Sequence, residues 1–390
     1  MKLNDANSFA PLTSLPTPLS LCQCVTYKQE IIICGGADKR VCYSYHTLRN
    51  QYKLICSYPN DVRLFGHCVV KLRDSNRNEM TLLSFGGKYK HTLMMNYVSV
   101  WEEDEDIETT DTRHCNEWLP FTDNDNNIVT IGGDRDNYWG VRAVIGGSHN
   151  HLLFITYPSK KLDVFDLNTY QYVSHNTLPT GNTSICNHCF VSITANSAKI
   201  KGRKHRDVMI LFSEKTGLLI AYDEYKNAFQ CRRLQVCETI GEFNFYAYVY
   251  IDGAILFFGG WNGYLGAEMV VSKALHMYSI RQDKWIQFEQ TLPVPLYGCA
   301  GILNDDRTWV HILGGFEGNK TVSTHLKTNA NEWVNAFIKK VDIEREREKI
   351  KKERKELEGM RPELQIKMLK NVIYHMFLFL FLFFVLVICV

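Results

Sequence analysis

An all-β fold of six repeated four-stranded units, with a helical tail behind it, is what this sequence predicts, and three recurrences predict it. The first is an apolar run closed by a glycine pair, at Ile31–Gly36, Leu82–Gly87, Ala254–Gly260 and Trp309–Gly315. The second is an aromatic residue answered seven positions later by another: Tyr45 and Tyr52, Phe165 and Tyr172, Tyr222 and Phe229, Tyr278 and Trp285. The third is a short stretch of small or apolar residues ahead of each run, at Gln23–Tyr27, Gly66–Val70, Val141–Ile145, Asn187–Val191, Ala247–Ile251 and Gly298–Ile302. Self-similarity at a fixed interval marks a repeat architecture, and six such units occupy most of the 390 residues. Aromatic residues at 12% against only 10 prolines suit strands and turns.

Each unit reads the same way. The small-residue stretch is the innermost strand, lining a narrow axis where bulky side chains cannot all fit. The apolar run is a strand buried on both faces. Its glycine pair (Gly35 and Gly36, Gly86 and Gly87, Gly259 and Gly260, Gly314 and Gly315) lets the chain turn sharply beside a neighbour. A residue without Cβ takes positive φ and permits close backbone approach. The spaced aromatics fall on the third and fourth strands, so that both rings pack between neighbouring sheets.

Two units lack the glycine pair, at His151–Thr156 and Asp207–Phe212, and must turn differently. In unit two, Trp101 on the third strand and Trp118 on the fourth are pushed apart by the acidic insert Glu102–Asp106, a solvated loop. Unit six keeps Leu326 and Trp333. Breaks at Leu15-Pro16, Tyr58-Pro59, Leu119-Pro120, Leu178-Pro179 and Leu292-Pro293 separate the units. Closure of the array has two readings. Phe9–Leu19 is similar to Phe288–Leu296, which spans the end of a fourth strand, so the N-terminal segment would complete the last unit; a strand at Trp333 is the competitor.

With the glycine pair after an apolar strand and the spaced aromatics, residues 15 to 335 resemble the kelch-repeat family, including the kelch-motif proteins expanded in some protists. The interval between units is near the ~50 residues of a kelch repeat. The resemblance implies a six-bladed β-propeller, each unit one blade, with only short protected edges. It also implies that the loops after the second strands share one face with the inter-blade turns, and that this face grips a protein or peptide. Among the residues in these loops, Trp261, Tyr264 and Phe316 are candidate aromatic anchors, while Arg40, Lys88 and Lys90 are candidate partners for acidic groups.

Beyond residue 335 the texture changes. Residues 336–371 are rich in helix formers with opposite charges three or four apart, as in Glu344–Glu358, without a sustained heptad seam. A solvated helix ended by Gly359 and Pro362 is expected. Residues 372–390 carry no Asp, Glu, Lys or Arg; as a helix they would span about 28 Å, near the ~30 Å hydrocarbon core, so a C-terminal membrane anchor fits, and an apolar segment that docks on a partner is the competing reading. The expected organisation is an N-terminal segment 1–14, a propeller 15–335, a charged helix 336–371 and the apolar tail 372–390.

Motifs for chemistry are scarce. A formal charge of +2 gives no nucleic-acid footprint. The sequence opens without a charged-then-apolar leader, so its 13 cysteines are expected as reduced thiols in the cytoplasm. Cys186-Asn187-His188-Cys189 is the most metal-like string, but His67-Cys68 stands at the equivalent place of another unit, so the pair reflects a strand preference. Asp305–Trp309 is similar in part to the Asp box of sialidases, lacks its glycine, and reads as a turn. No Gly-x-Ser-x-Gly or His-Glu-x-x-His motif occurs. The expectation is a non-enzymatic protein-interaction module without cofactor or metal. The competing expectation is an oxidoreductase or carbohydrate-active enzyme on a propeller like that of galactose oxidase.

Overall fold

The computed structural model describes residues 9–72, 80–102, 115–181, 183–193, 206–263 and 269–388, of which 357, 359–364 and 381–388 are described by backbone only. It divides into two compact units, Met1–Glu332 and Trp333–Val390.

The first unit is a six-bladed β-propeller in which every blade is an antiparallel four-stranded sheet. Following β1 (Ala10–Pro11), blade 1 holds β2 (Gln23–Tyr27), β3 (Glu30–Gly36), β4 (Lys39–His46) and β5 (Gln51–Ser57). Blade 2 holds β6 (His67–Lys71), β7 (Met80–Gly86), β8 (Thr92–Tyr97) and the two-residue β9 (Leu119–Pro120). Blade 3 holds β10 (Arg142–Gly146), β11 (Leu152–Tyr157), β12 (Lys161–Asp166) and β13 (Gln171–Thr177). Blade 4 holds β14 (Cys189–Ser192), β15 (Arg206–Ser213), β16 (Thr216–Asp223) and β17 (Ala228–Leu234), followed by the short helix α1 (Glu238–Gly241). Blade 5 holds β18 (Ala247–Ile251), β19 (Ala254–Phe258), β20 (Ala274–Ser279) and β21 (Lys284–Thr291).

The sixth blade is made from both ends of the unit. It holds β22 (Ala300–Leu303), β23 (Trp309–Leu313) and, after the small hairpin β24 (Phe316–Glu317) and β25 (Lys320–Thr321), β26 (His325–Asn329); β1 pairs with β26 as the outermost strand. Closure therefore comes from the N-terminal segment, and Pro11 sits where a residue without an amide hydrogen loses nothing, on an edge with no further partner strand among the described residues. Trp333 lies in the helix α2 (Ala330–Ile388), not in a strand.

Burial follows the radial order. The second strands β3, β11 and β19 are buried along their whole length, while β13, on the outside, alternates between exposed and half-buried. The core is a set of wedges between blades. One joins Ile32 and Cys42 of blade 1 to Leu82 and Met95 of blade 2; another joins Phe85 of blade 2 to Leu153 and Ile155 of blade 3.

The spaced aromatics face one another across the third and fourth strands, in register at Tyr45 and Tyr52, Phe165 and Tyr172, Tyr222 and Phe229, and Tyr278 and Trp285. Their ring centroids lie 4.9, 5.2, 4.7 and 5.1 Å apart. The first ring of a pair also reaches the preceding blade, as Tyr222 does to Phe154 at 5.1 Å and Tyr278 to Phe212 at 4.9 Å. Where that ring is tyrosine, its hydroxyl donates to the side chain five residues on, Asn50, Asn227 or Asp283. Those three residues hold left-handed φ of 52°, 45° and 53° in the hairpin turn, a conformation Asn and Asp adopt more readily than other side chains. Unit two departs from the pattern. Its third strand ends at Tyr97, so Trp101 lies outside it; Trp118, just ahead of β9, stacks on Tyr58 at 4.6 Å.

The glycine pairs are the joints between blades. A Cβ on Gly314 (φ +62°) would lie 2.2 Å from the Leu19 carbonyl oxygen, and one on Gly259 (φ +68°) 2.1 Å from that of Leu296. The next amides, Gly315 and Gly260, donate to those same carbonyls at 2.8 and 2.9 Å. Blades 3 and 4 turn instead through Ser159 and Lys160 (both φ 65°) and Glu214 (φ 47°).

In the second unit, α2 continues unbroken through Gly359 and Pro362, where an end was expected. The local cost, about 1 kcal/mol for Gly and about 3 for Pro, is outweighed by propagation through the helix formers on either side. Among the described residues no helix is long and apolar enough to cross a membrane. The segment 372–390 runs on into residues outside the side-chain description.

Replacing Gly314 with Ala should lower unfolding stability by about 3 kcal/mol, through a methyl–carbonyl clash at a left-handed position. Gly241→Ala, whose Cβ meets nothing closer than 3.5 Å, should stay within about 0.5 kcal/mol in the same urea titration.

Candidate functional site

Antiparallel blades send the second-to-third-strand turns and the inter-blade connections to one face. Contacts between these segments hold it together. Arg63 pairs with Asp38 at 2.7 Å, and the Lys90 ammonium donates to the carbonyls of Gly133 and Asp134 at 2.6 and 2.8 Å.

At the centre of this face each connection passes through a left-handed residue just before its innermost strand: Leu21, Gly66, Gly140, Asn187, Phe245 and Gly298. Four amide-to-carbonyl bonds link these six residues in two runs of three. Leu21 donates to Gly298, Gly140 to Gly66, Asn187 to Gly140 and Gly298 to Phe245, at 2.7 to 2.9 Å. The backbone thereby frames an axial mouth.

Rings crowd that mouth. Phe65 and Trp139 have centroids 6.3 Å apart, Trp139 and Phe245 6.4 Å, and Phe245 and Trp261 5.6 Å. Tyr297 stacks on Trp261 at 5.3 Å and on Phe316 at 4.9 Å. The arc thus runs from blade 2 to blade 6. Phe245 is buried, Trp139 is 36% exposed, and the others are half-buried. Gly263 packs against the Trp261 indole, whose Nε1 is buried without an acceptor among the described residues.

Beneath the rings lies Arg142, at the start of β10. Its guanidinium donates to the Val141 carbonyl at 2.8 Å and to Asn187 Oδ1 at 3.2 Å. Burial, with Arg142 adding to it, holds two neighbouring imidazoles neutral: His67 is pushed down to about 3, and His188 well below its usual range. His67 Nε2 lies 3.1 Å from the Cys34 carbonyl, and His188 Nε2 lies 2.7 Å from Thr156 Oγ1. Cys186 turns its thiol to the Trp139 carbonyl, and burial raises it to about 12. The Cys186–Cys189 string does not converge, and among the described residues no group of three His, Cys, Asp or Glu is placed to hold a metal ion.

Of the candidates read from sequence, Trp261 and Phe316 meet, through Tyr297. Arg40 is half-buried and donates to the Pro59 carbonyl at 3.2 Å, which ties it to the backbone. Lys88 is exposed, with its ammonium 5.7 Å from the Tyr89 ring; Lys90 is occupied by the two carbonyls above. Tyr264 lies outside the described residues. Sequence reasoning missed Phe65, Trp139, Phe245, Tyr297 and Arg142. A signal existed: Phe65-Gly66, Trp139-Gly140 and Tyr297-Gly298 repeat an aromatic–glycine step at the same point of three blades.

No family model and no curated protein matches the chain. Solved structures do resemble it. The structure of YjhT is 13% identical, with 80% of this chain and 95% of that one covered at a TM-score of 0.54. The structure of U3-55K is 10% identical, with 82% and 100% covered at 0.47. At such identity the likeness to YjhT concerns the propeller fold alone.

Five buried histidines, His67, His188, His276, His311 and His325, and the half-buried His91 are lowered by desolvation. A histidine lowered in the folded state binds fewer protons than in the unfolded chain. Its share of stability is complete above the unfolded value of about 6.5 and is lost as pH falls toward the folded one. Urea midpoints should therefore drop between pH 6.5 and about 4. The His67→Gln variant should flatten that slope by about 1.4 kcal/mol per pH unit.

Proposed function

We propose that this chain is a kelch-type propeller that works as a non-enzymatic protein-binding module, gripping a segment of a partner protein on the aromatic face. The observation that carries the reading is the arc of six rings from Phe65 to Phe316 around the axial mouth. Part-exposed aromatics contribute large contact area at little conformational cost, and such side chains dominate binding energy at protein interfaces. The hydrogen-bonded backbone runs below make the platform stiff, so little ordering is needed on docking. Free thiols throughout the described residues fit a protein kept in a reducing compartment.

Trp139→Ala combined with Tyr297→Ala should reduce recovery of a captured partner at least tenfold while leaving the circular dichroism spectrum unchanged. Leu54→Ala, on the exposed outer strand of blade 1, should recover it at the wild-type level. Equal recovery by both variants would remove this face as the docking surface.

A further inference from the structure

The opposite face, where first strands turn into second and third into fourth, carries a cleft of about 540 Å3 between blades 6 and 1. Its size lies within the range of small-molecule sites. Trp309 and His311 of β23 and Lys327 of β26 line it from blade 6, together with the β22–β23 turn. Gln29 of the β2–β3 turn and Leu48 of the β4–β5 turn line it from blade 1. The turn in question is Asn304–Thr308, which overlaps Asp305–Trp309, the segment set apart above as partly similar to an Asp box. Asp306 Oδ1 accepts from the Thr308 amide at 2.8 Å, Asn304 Oδ1 from the Trp309 amide at 2.8 Å, and Arg307 takes φ +61°.

Among the described residues the charges lining the cleft, Lys28 and Lys327 against Asp305 and Asp306, are balanced and largely engaged. Lys28 is paired with Glu102 at 2.9 Å, and Asp306 is used by its own turn. Among the described residues what remains is one carboxylate, the exposed Asp305, and one ammonium, Lys327, which lies 4.5 Å over the Trp309 ring. An anion entering here meets Asp305, and a cation meets Lys327. Behind the cleft runs a hydrogen-bonded chain: His311 Nδ1 lies 2.9 Å from His325 Nε2, and His325 Nδ1 lies 2.6 Å from the Tyr52 hydroxyl. Both imidazoles are buried and neutral, at about 4 and about 3. Such a chain can run with either polarity, so His311 can serve as donor or acceptor.

A site with balanced charge, an indole and an aliphatic wall, and reversible hydrogen-bonding groups suits a neutral molecule whose polar groups both donate and accept. We propose that this cleft binds a neutral carbohydrate, its C–H groups packed against Trp309 and Leu48 and its hydroxyls bonded by Asp305, Gln29 and Lys327. The site is independent of the aromatic face and of the partner assigned there.

The test uses the full chain and saturation-transfer NMR with lactose, maltotriose and triacetylchitotriose at millimolar concentration. Glucuronate and glucosamine serve as the charged comparisons. At least one neutral sugar should give saturable transfer. Trp309→Ala and Asp305→Ala should each weaken it at least tenfold, whereas Trp139→Ala on the other face should leave it unchanged. Asp305 is an exposed turn residue, so its variant keeps the fold even if the Trp309 variant does not. Absence of transfer from all three sugars, transfer that survives Asp305→Ala, or equal binding of the charged comparisons would overturn the assignment.

Discussion

Blade-to-blade contact at the backbone level governs this propeller. At the joints of blades 5 and 6 a carbonyl oxygen from the following connection sits where a Cβ would be, and the adjacent amide bonds to that same oxygen. A side chain there would have to push two blades apart. The aromatic wedges lie farther out and depend on that spacing, since Tyr222 and Tyr278 touch both their strand partner and the preceding blade. Packing at interior density tolerates little displacement.

The same geometry prepares the axial mouth. Because six connections all pass through left-handed residues at one radius, whatever stands beside those residues is delivered to the axis. Aromatic side chains occupy that place in several blades, and Arg142 lies just inside. A stiff frame with variable attachments is how a repeat fold separates stability from recognition. The buried polar groups between blades follow this division. Glu30 accepts from Ser44 Oγ at 2.5 Å and from the Tyr97 hydroxyl, joining blades 1 and 2, and the His311–His325–Tyr52 chain joins blades 6 and 1.

Much of the fold was legible in particular residues. Four glycine pairs placed four turns, and four spaced aromatic pairs placed the third and fourth strands in register, because both features report requirements local to one blade. Trp101 and Trp333 misled for the same reason: each preserves part of the spacing but lies beyond its strand. At the candidate site the reading located Trp261 and Phe316 and passed over Tyr297, which brings them together. The three aromatic–glycine steps were visible as sequence but carried no message until the glycines were seen to ring the axis. Arg40 and Lys90 looked free and are engaged by carbonyl oxygens from other segments.

By itself the sequence determined the number of units, the order of strands within each and the positions where only glycine fits, since these follow from periodicity, burial and the steric demand of a Cβ along a short stretch of chain. Tertiary structure alone decided that β1 closes the last blade, that rings from four inter-blade connections and from two loops after second strands form one arc, and that a turn of blade 6 and two turns of blade 1 enclose a common cleft. Those outcomes depend on the angle through which successive sheets rotate about an axis, which brings together residues hundreds of positions apart.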